Sequence, residues 1–154
     1  MPSSYEHLIV REMRNCIGDF ANEGDEAGLP TPDNLGEGLA LMRSADVPES
    51  RIHMSHIWIK ERDTPIQWVV EHEHTYDEVL IWTGNNPDDP HDLGAELFFD
   101  IEGERHIINT SGSVYIPAGL RHCPLGFNRV DRPFRFSALS LNPTYVSDEH
   151  ARPA

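Results

Sequence analysis

From residue 51 onward the chain alternates with a period of two. Ile52, Met54, His56 and Trp58 interleave with His53, Ser55, Ile57 and Ile59. Trp68, Val70, His72 and His74 interleave with Val69, Glu71 and Glu73. Successive side chains of a strand point to opposite faces, so each set marks one face of an extended segment. Further strand-like runs lie at 77–82, 95–101, 105–108, 113–116 and 134–141. Turn residues separate them: Thr83-Gly84-Asn85-Asn86-Pro87-Asp88-Asp89-Pro90, the tight-hairpin sequence Glu102-Gly103-Glu104, and Pro117-Ala118-Gly119. Helical periodicity is scarce, with at most a short helix or turn near 34–44. Short strands with turn signals about every 8–12 residues predict an all-β sandwich or barrel. No internal duplication is present, so one barrel is expected from one chain.

Residues 18–50 have another character. They are rich in Gly, Pro, Asp and Glu, as in Glu23-Gly24-Asp25-Glu26-Ala27-Gly28-Leu29-Pro30. This predicts an irregular N-terminal extension (1–50) packed on a barrel (51–146), followed by a short C-terminal tail (147–154). A length of 154 residues suits one domain with a real core. At 38% hydrophobic and 25% charged, the chain reads as globular.

A net charge of −14 argues against nucleic acid or an anionic membrane as partner, because phosphate binding needs clustered Lys and Arg. It leaves open a small anion held by one buried arginine. Cys16 and Cys123 are too few for a disulfide framework or a zinc ribbon. A single bridge is open to them, and free thiols are the expectation. Residues 1–10 lack the basic-then-apolar layout of a signal peptide, and no run approaches the roughly 20 apolar residues of a membrane span. A soluble, cytoplasmic protein is expected.

His72 and His74, two apart on a strand, point the same way, and Glu78 keeps their parity if the strand resumes after a short bend. Two imidazoles and a carboxylate converging on one point suit a borderline divalent metal. His122, after the Pro117-Ala118-Gly119 turn, is a fourth candidate ligand. The bland alternative is a polar cluster without metal, but an unpaired buried carboxylate costs several kcal/mol, which a metal removes.

Other features weigh less. His53, His56 and His106 sit on predicted strands, where a structural role competes with substrate contact. His56 shares parity with Met54 and Trp58 and is the favoured cavity histidine. His91 lies in a solvated loop. Trp58, Trp68, Phe99, Phe134 and Phe136 are candidates to line an apolar pocket, with core packing as the competing role. Tyr76 is placed at the mouth or on an exposed loop. Cys123, next to His122, should point away from the metal as a small buried hydrophobe. The loop at 85–92 reads as a solvated turn, because the spacing of a calcium loop is missing. Arg105 and Arg121 read as ion-pair partners.

The chain resembles the cupins, small jelly-roll barrels, through two linked motifs. His72, His74, Glu78 and Gly84 match the first, with the last gap one residue short. Gly112, Pro117, Gly119 and His122 match the second, one residue short before the proline, and Gly126 replaces its closing Asn. The match covers 65–127 directly, and the strand pattern extends it to 52–145. The resemblance implies a single jelly-roll barrel in which His72, His74, Glu78 and His122 bind one divalent transition metal. Fe(II) is favoured, with Mn, Ni, Cu and Zn open, and one or two coordination positions are left for small molecules.

The implied function is a metal-dependent enzyme acting on a small organic substrate, foremost an Fe(II)-type oxygenase. Glu78 is expected to double as a base if it leaves the metal, and His56, Trp58, Trp68, Tyr76 and Phe136 are expected to contact the substrate. The alternatives are a redox-neutral isomerase, decarboxylase or lyase, and a non-catalytic small-molecule-binding cupin. Cupins often pair through outer strands, so a homodimer is expected, with the N-terminal extension covering an open sheet edge in the same chain or across the dimer.

Overall fold

Among the described residues the chain forms nine strands, seven of them where the period-two alternation places strands. The structure is a computed structural model that describes residues 5–20 and 31–144. The strands are β1 (Leu39–Met42), β2 (His53–Ile59), β3 (Ile66–Val69), β4 (Glu78–Thr83), β5 (Asp92–Ile101), β6 (Glu104–Thr110), β7 (Gly112–Ile116), β8 (His122–Val130) and β9 (Phe134–Ser140). They form two antiparallel sheets of order β1-β2-β9-β4-β7 and β3-β8-β5-β6. Apart from the β1–β2 and β5–β6 pairs, the chain changes sheet at every connection. Without β1, four strands face four in the order of a double-sheet jelly roll.

The core forms where the two inner faces meet. Leu80, Trp82, Phe134 and Phe136 enter from one sheet, and Leu97, Phe99, Leu125 and Phe127 from the other. Strand β4 alternates cleanly, with Glu78, Leu80 and Trp82 buried. Strand β5 is central and buried on both faces for much of its length, and its outward Phe98 is capped by the Arg105 guanidinium at 4.4 Å. The tight hairpin joins β5 to β6 through Glu102 and Gly103, both at positive φ (48° and 79°). That is the two-residue loop whose twist suits antiparallel strands.

Two segments differ from expectation. The stretch 34–44 forms no helix: Leu39–Met42 is a strand that pairs with β2, Leu39 opposite His56 and Ala40 opposite Ser55. The open edge of β2 supplies the partners. Gly36 N–H also donates to Trp58 O (2.7 Å), and Ala40 is fully buried. The N-terminal segment therefore covers the β2 edge within the same chain. The Gly-rich run 23–30 and the tail 147–154 lie outside the described residues.

The second difference is β8, which escapes a pattern search because Pro124 and Gly126 interrupt it. Its ladder with β5 is irregular between Phe99 and Ile101, where Cys123 (φ 71°) and Pro124 sit, so the missing proline donor falls at a bulge. Gly126 is required by space. A Cβ there would run into the Phe98 ring and the Ile66 carbonyl oxygen.

Candidate metal centre

The ligand-bearing residues sit where strands end. His72 and His74 follow β3, Glu78 opens β4 and His122 opens β8. Backbone pairing brings these ends together. His72 N–H donates to His122 O and His122 N–H to His72 O, both at 3.0 Å, and Gly119 N–H donates to His74 O at 2.8 Å. Asp77 braces the turn: its carboxylate accepts from Ala118 N–H (2.8 Å) and from the Tyr115 hydroxyl. All four side chains are buried, none more than 3% exposed.

His72 Nε2 and His74 Nε2 are 3.1 Å apart, and ligand atoms of His72, His74 and His122 all lie within 4.8 Å of one another. Glu78 Oε1 lies 3.4 Å from His122 Nε2 and 3.6 Å from His74 Nε2. The Nδ1 of His72 faces Val70 O at 2.7 Å, and that of His122 faces Leu120 O at 2.9 Å. A carbonyl oxygen only accepts, so both Nδ1 atoms carry the hydrogen and both Nε2 atoms present a lone pair inward. The His122 Nε2 is buried and makes no hydrogen bond. A buried acceptor without a partner costs free energy, and a divalent ion beside it removes that cost. Three imidazole nitrogens and one carboxylate therefore fit a borderline transition metal. Ser140 Oγ–H donates to Glu78 Oε2 (3.4 Å), and the Tyr76 ring stacks on His74 at 5.0 Å and 18°, so both ligands are oriented from behind.

Burial, then the neighbouring His122 and His74, push His72 down to about 3. Burial pushes Glu78 up, but the His122 and His74 imidazoles that face its carboxylate outweigh this and hold it at about 2. Neutral imidazole and ionised carboxylate are the forms that bind metal. Both folded pKa values lie below the ordinary ones, 6.5 and 4.5. On acidification the unfolded chain therefore takes up protons that the folded chain refuses, and stability falls. The thermal midpoint of metal-free protein is expected to drop as pH falls from about 6.5 toward 3. Calorimetry on chelator-treated protein tests this, and a flat profile between pH 7 and 4 contradicts it.

Strand order and the placement of the four side chains inside the barrel decide the fold type. The chain has a cupin fold. No family model matches it, and no curated protein does. Solved structures do. A cupin 2 conserved barrel domain protein from Salinispora arenicola is 21% identical over 86% of this chain and 89% of that one, with a TM-score of 0.47. A sugar phosphate isomerase of the cupin superfamily from Silicibacter pomeroyi is 17% identical over 71% and 60%, at 0.45. Oxalate oxidase in complex with glycolate is 18% identical over 75% and 56%, at 0.48. The chain thus spans less than two thirds of the isomerase and the oxidase. At these identities and scores none of them transfers a substrate or an activity.

A cavity of about 240 Å³ adjoins the centre of the barrel, with His72, Glu78 and His122 in its wall. Of the aromatic and histidine residues singled out by pattern, His56, Trp68 and Phe136 line it. Trp58 and Tyr76 do not. In β2 the buried residues are the odd-numbered His53, Ile57 and Ile59, so Trp58 faces outward, 41% exposed, beneath the Arg135 guanidinium at 5.7 Å. Alternation separates two faces without saying which is inside. Tyr76 is buried behind His74 and away from any mouth. Cys123 lines the cavity although it neighbours His122, because the β8 bulge breaks strict alternation.

Arg105 pairs with Asp100 and Arg121 with Glu71, and His53 Nε2 meets Asp19 at 2.8 Å. Pattern reading misses the wall formed by Ile17, Phe20 and Leu35. Nothing in an irregular Gly- and Pro-rich stretch marks which residues turn inward. Nor does it single out Asp77 and Ser140 as braces of the site.

Proposed function

We propose that this cupin is a metal-dependent enzyme acting on a small organic molecule, and within that class an Fe(II)-type oxygenase. The observation that carries the reading is the inward-turned, hydrogen-bond-free Nε2 of His122 beside the carboxylate of Glu78, in the wall of a cavity. His72, His74, His122 and Glu78 would hold the ion. When bound, it supplies Lewis-acid and redox chemistry at positions that four protein ligands leave open.

The chain's own groups do the rest. Glu78 is the only carboxylate among the described cavity-lining residues, which makes it the candidate to take a proton from a substrate donor. Trp68, Leu80 and Phe136 keep the space around it apolar and exclude water. On the wall, burial and then the Arg135 charge hold His56 below the ordinary histidine range. It is therefore neutral at pH 7 and suited to one orienting hydrogen bond.

The test is oxygen consumption by Fe(II)-loaded protein with a panel of a catechol, a β-diketone and a thiol. Uptake of O₂ that depends on both metal and substrate is the expected result. Conversion without O₂ uptake would place the protein among the redox-neutral enzymes. Bound metal with no conversion of any substrate would leave a binding protein and sink the oxygenase reading.

A further inference from the structure

Resting on that metal-enzyme reading, we infer that the cavity selects a small substrate with an uncharged, largely apolar body and a single chelating end. Its walls are mostly hydrocarbon, with Phe20, Leu35, Ile57, Trp68, Phe136 and Ala138 among the lining residues. Among the described residues, Thr31, Ser55 and His56 offer isolated polar functions on these walls, and no lysine or arginine lines them. No Lys or Arg occurs in the sequence between Asn15 and Met42, the stretch that holds the wall residues Ile17, Phe20, Thr31, Leu35 and Gly38. Arg135 stands over the outward Trp58 ring at 5.7 Å, from where its charge reaches His56, and four other guanidinium groups around the barrel are engaged by carboxylates. Arg43 bonds Asp46 (2.7 Å) and Asp19 (3.1 Å), Arg62 bonds Asp33 (2.7 Å), and Arg121 and Arg132 pair with Glu71 and Asp92.

An anionic group held away from the metal would lose its hydration and find no counter-ion, and a buried unpaired charge is the costliest thing an apolar site can be asked to hold. Only at the ligand end does the charge arithmetic allow an anion. A divalent ion with one carboxylate and neutral imidazoles leaves about one positive charge there, enough for one deprotonated donor. Size narrows the class. A cavity of about 240 Å³ lies below the range of about 300–1,000 Å³ typical of drug-sized ligands, so a single ring is the scale that fits. Shape narrows it again. The Trp68 and Phe136 rings meet edge to face at 5.2 Å and 72°, and Phe20 adds a third aromatic wall, a setting that favours a planar guest. The substrate class is thus a monocyclic compound with adjacent oxygen donors at one end and no second charge. A sugar phosphate or a molecule with a remote carboxylate is excluded.

The test uses the full chain loaded with Zn(II), which is redox-silent, and calorimetric titration with ligands that share one chelating end. 4-Methylcatechol and 3,4-dihydroxybenzoate differ in the remote group, methyl against carboxylate. The methyl compound is expected to bind at least about tenfold tighter, and erythrose 4-phosphate weaker still. Equal or tighter binding of the carboxylate or the phosphate overturns the inference, as does failure of 4-methylcatechol to bind Zn(II)-loaded protein. A prior Zn(II) titration without organic ligand separates the two levels: no Zn(II) uptake defeats the metal reading itself, whereas uptake with a preference for charged ligands defeats only the substrate class.

Discussion

Replacement of His122 by alanine is expected to weaken divalent-metal binding by about 100-fold or more. Loss of groups that merely support a ligand already costs about 10–100-fold, and His122 is itself a proposed ligand. The variant is also expected to stay folded. The imidazole removed has a buried Nε2 without a hydrogen bond, so the side chain gives up a single one, from Nδ1–H to Leu120 O. The backbone link between His72 and His122 is independent of the side chain and remains. Thermal scans with and without metal separate the two effects. Wild-type protein should gain about 2.7 kcal/mol at a free metal concentration a hundred times its Kd, whereas the variant at that concentration should gain almost nothing. An unchanged metal-induced shift in H122A would remove the quartet as the binding site.

Phe127→Ala is expected to lower folding stability by about 3–5 kcal/mol, a large part of the roughly 5–15 kcal/mol that holds a domain of ordinary size. Phe127 is fully buried in β8, opposite Leu97 on one side and Ile66 on the other. Its ring packs against Trp68 at 5.8 Å and against Phe134 at 6.1 Å, so it joins the two sheets at the middle of the barrel. Strand pairing on both sides leaves the backbone little freedom to collapse into the space, which puts the cost high in the range. Urea denaturation of metal-free protein reads the change directly, and a loss below about 1 kcal/mol would mean that the two sheets are not joined through this ring.

How much of this was legible in the sequence depended on what each feature asks of the chain. The convergence of His72, His74, Glu78 and His122 was legible because chemistry and spacing coincide. Two histidines at i and i+2, a carboxylate of the same parity and a histidine after a Pro-x-Gly turn have few other uses together. Strands β4, β5, β6, β7 and β9 were legible because alternation persists long enough to be seen. Strand β8 was not, since Pro124 and Gly126 are accommodated by a bulge and by the closeness of Phe98, neither of which has a local signature. Strand β1 was hidden for another reason. Four residues pair because an open edge lies beside them, which is a tertiary cause. Trp58 shows the limit of parity: the period was right, and the choice of inner face was made by the opposite sheet.

The cavity wall formed by Ile17, Phe20 and Leu35 belongs to a stretch of chain that supplies none of the four metal-facing side chains. Part of the cavity wall is thereby written on a length of polypeptide separate from the four candidate ligands. Substitutions before residue 39 can reshape what enters the barrel while the imidazoles and the carboxylate stay as they are. Diversification of such a protein therefore has an inexpensive route, a new guest for an old metal, that leaves the strands carrying the site untouched.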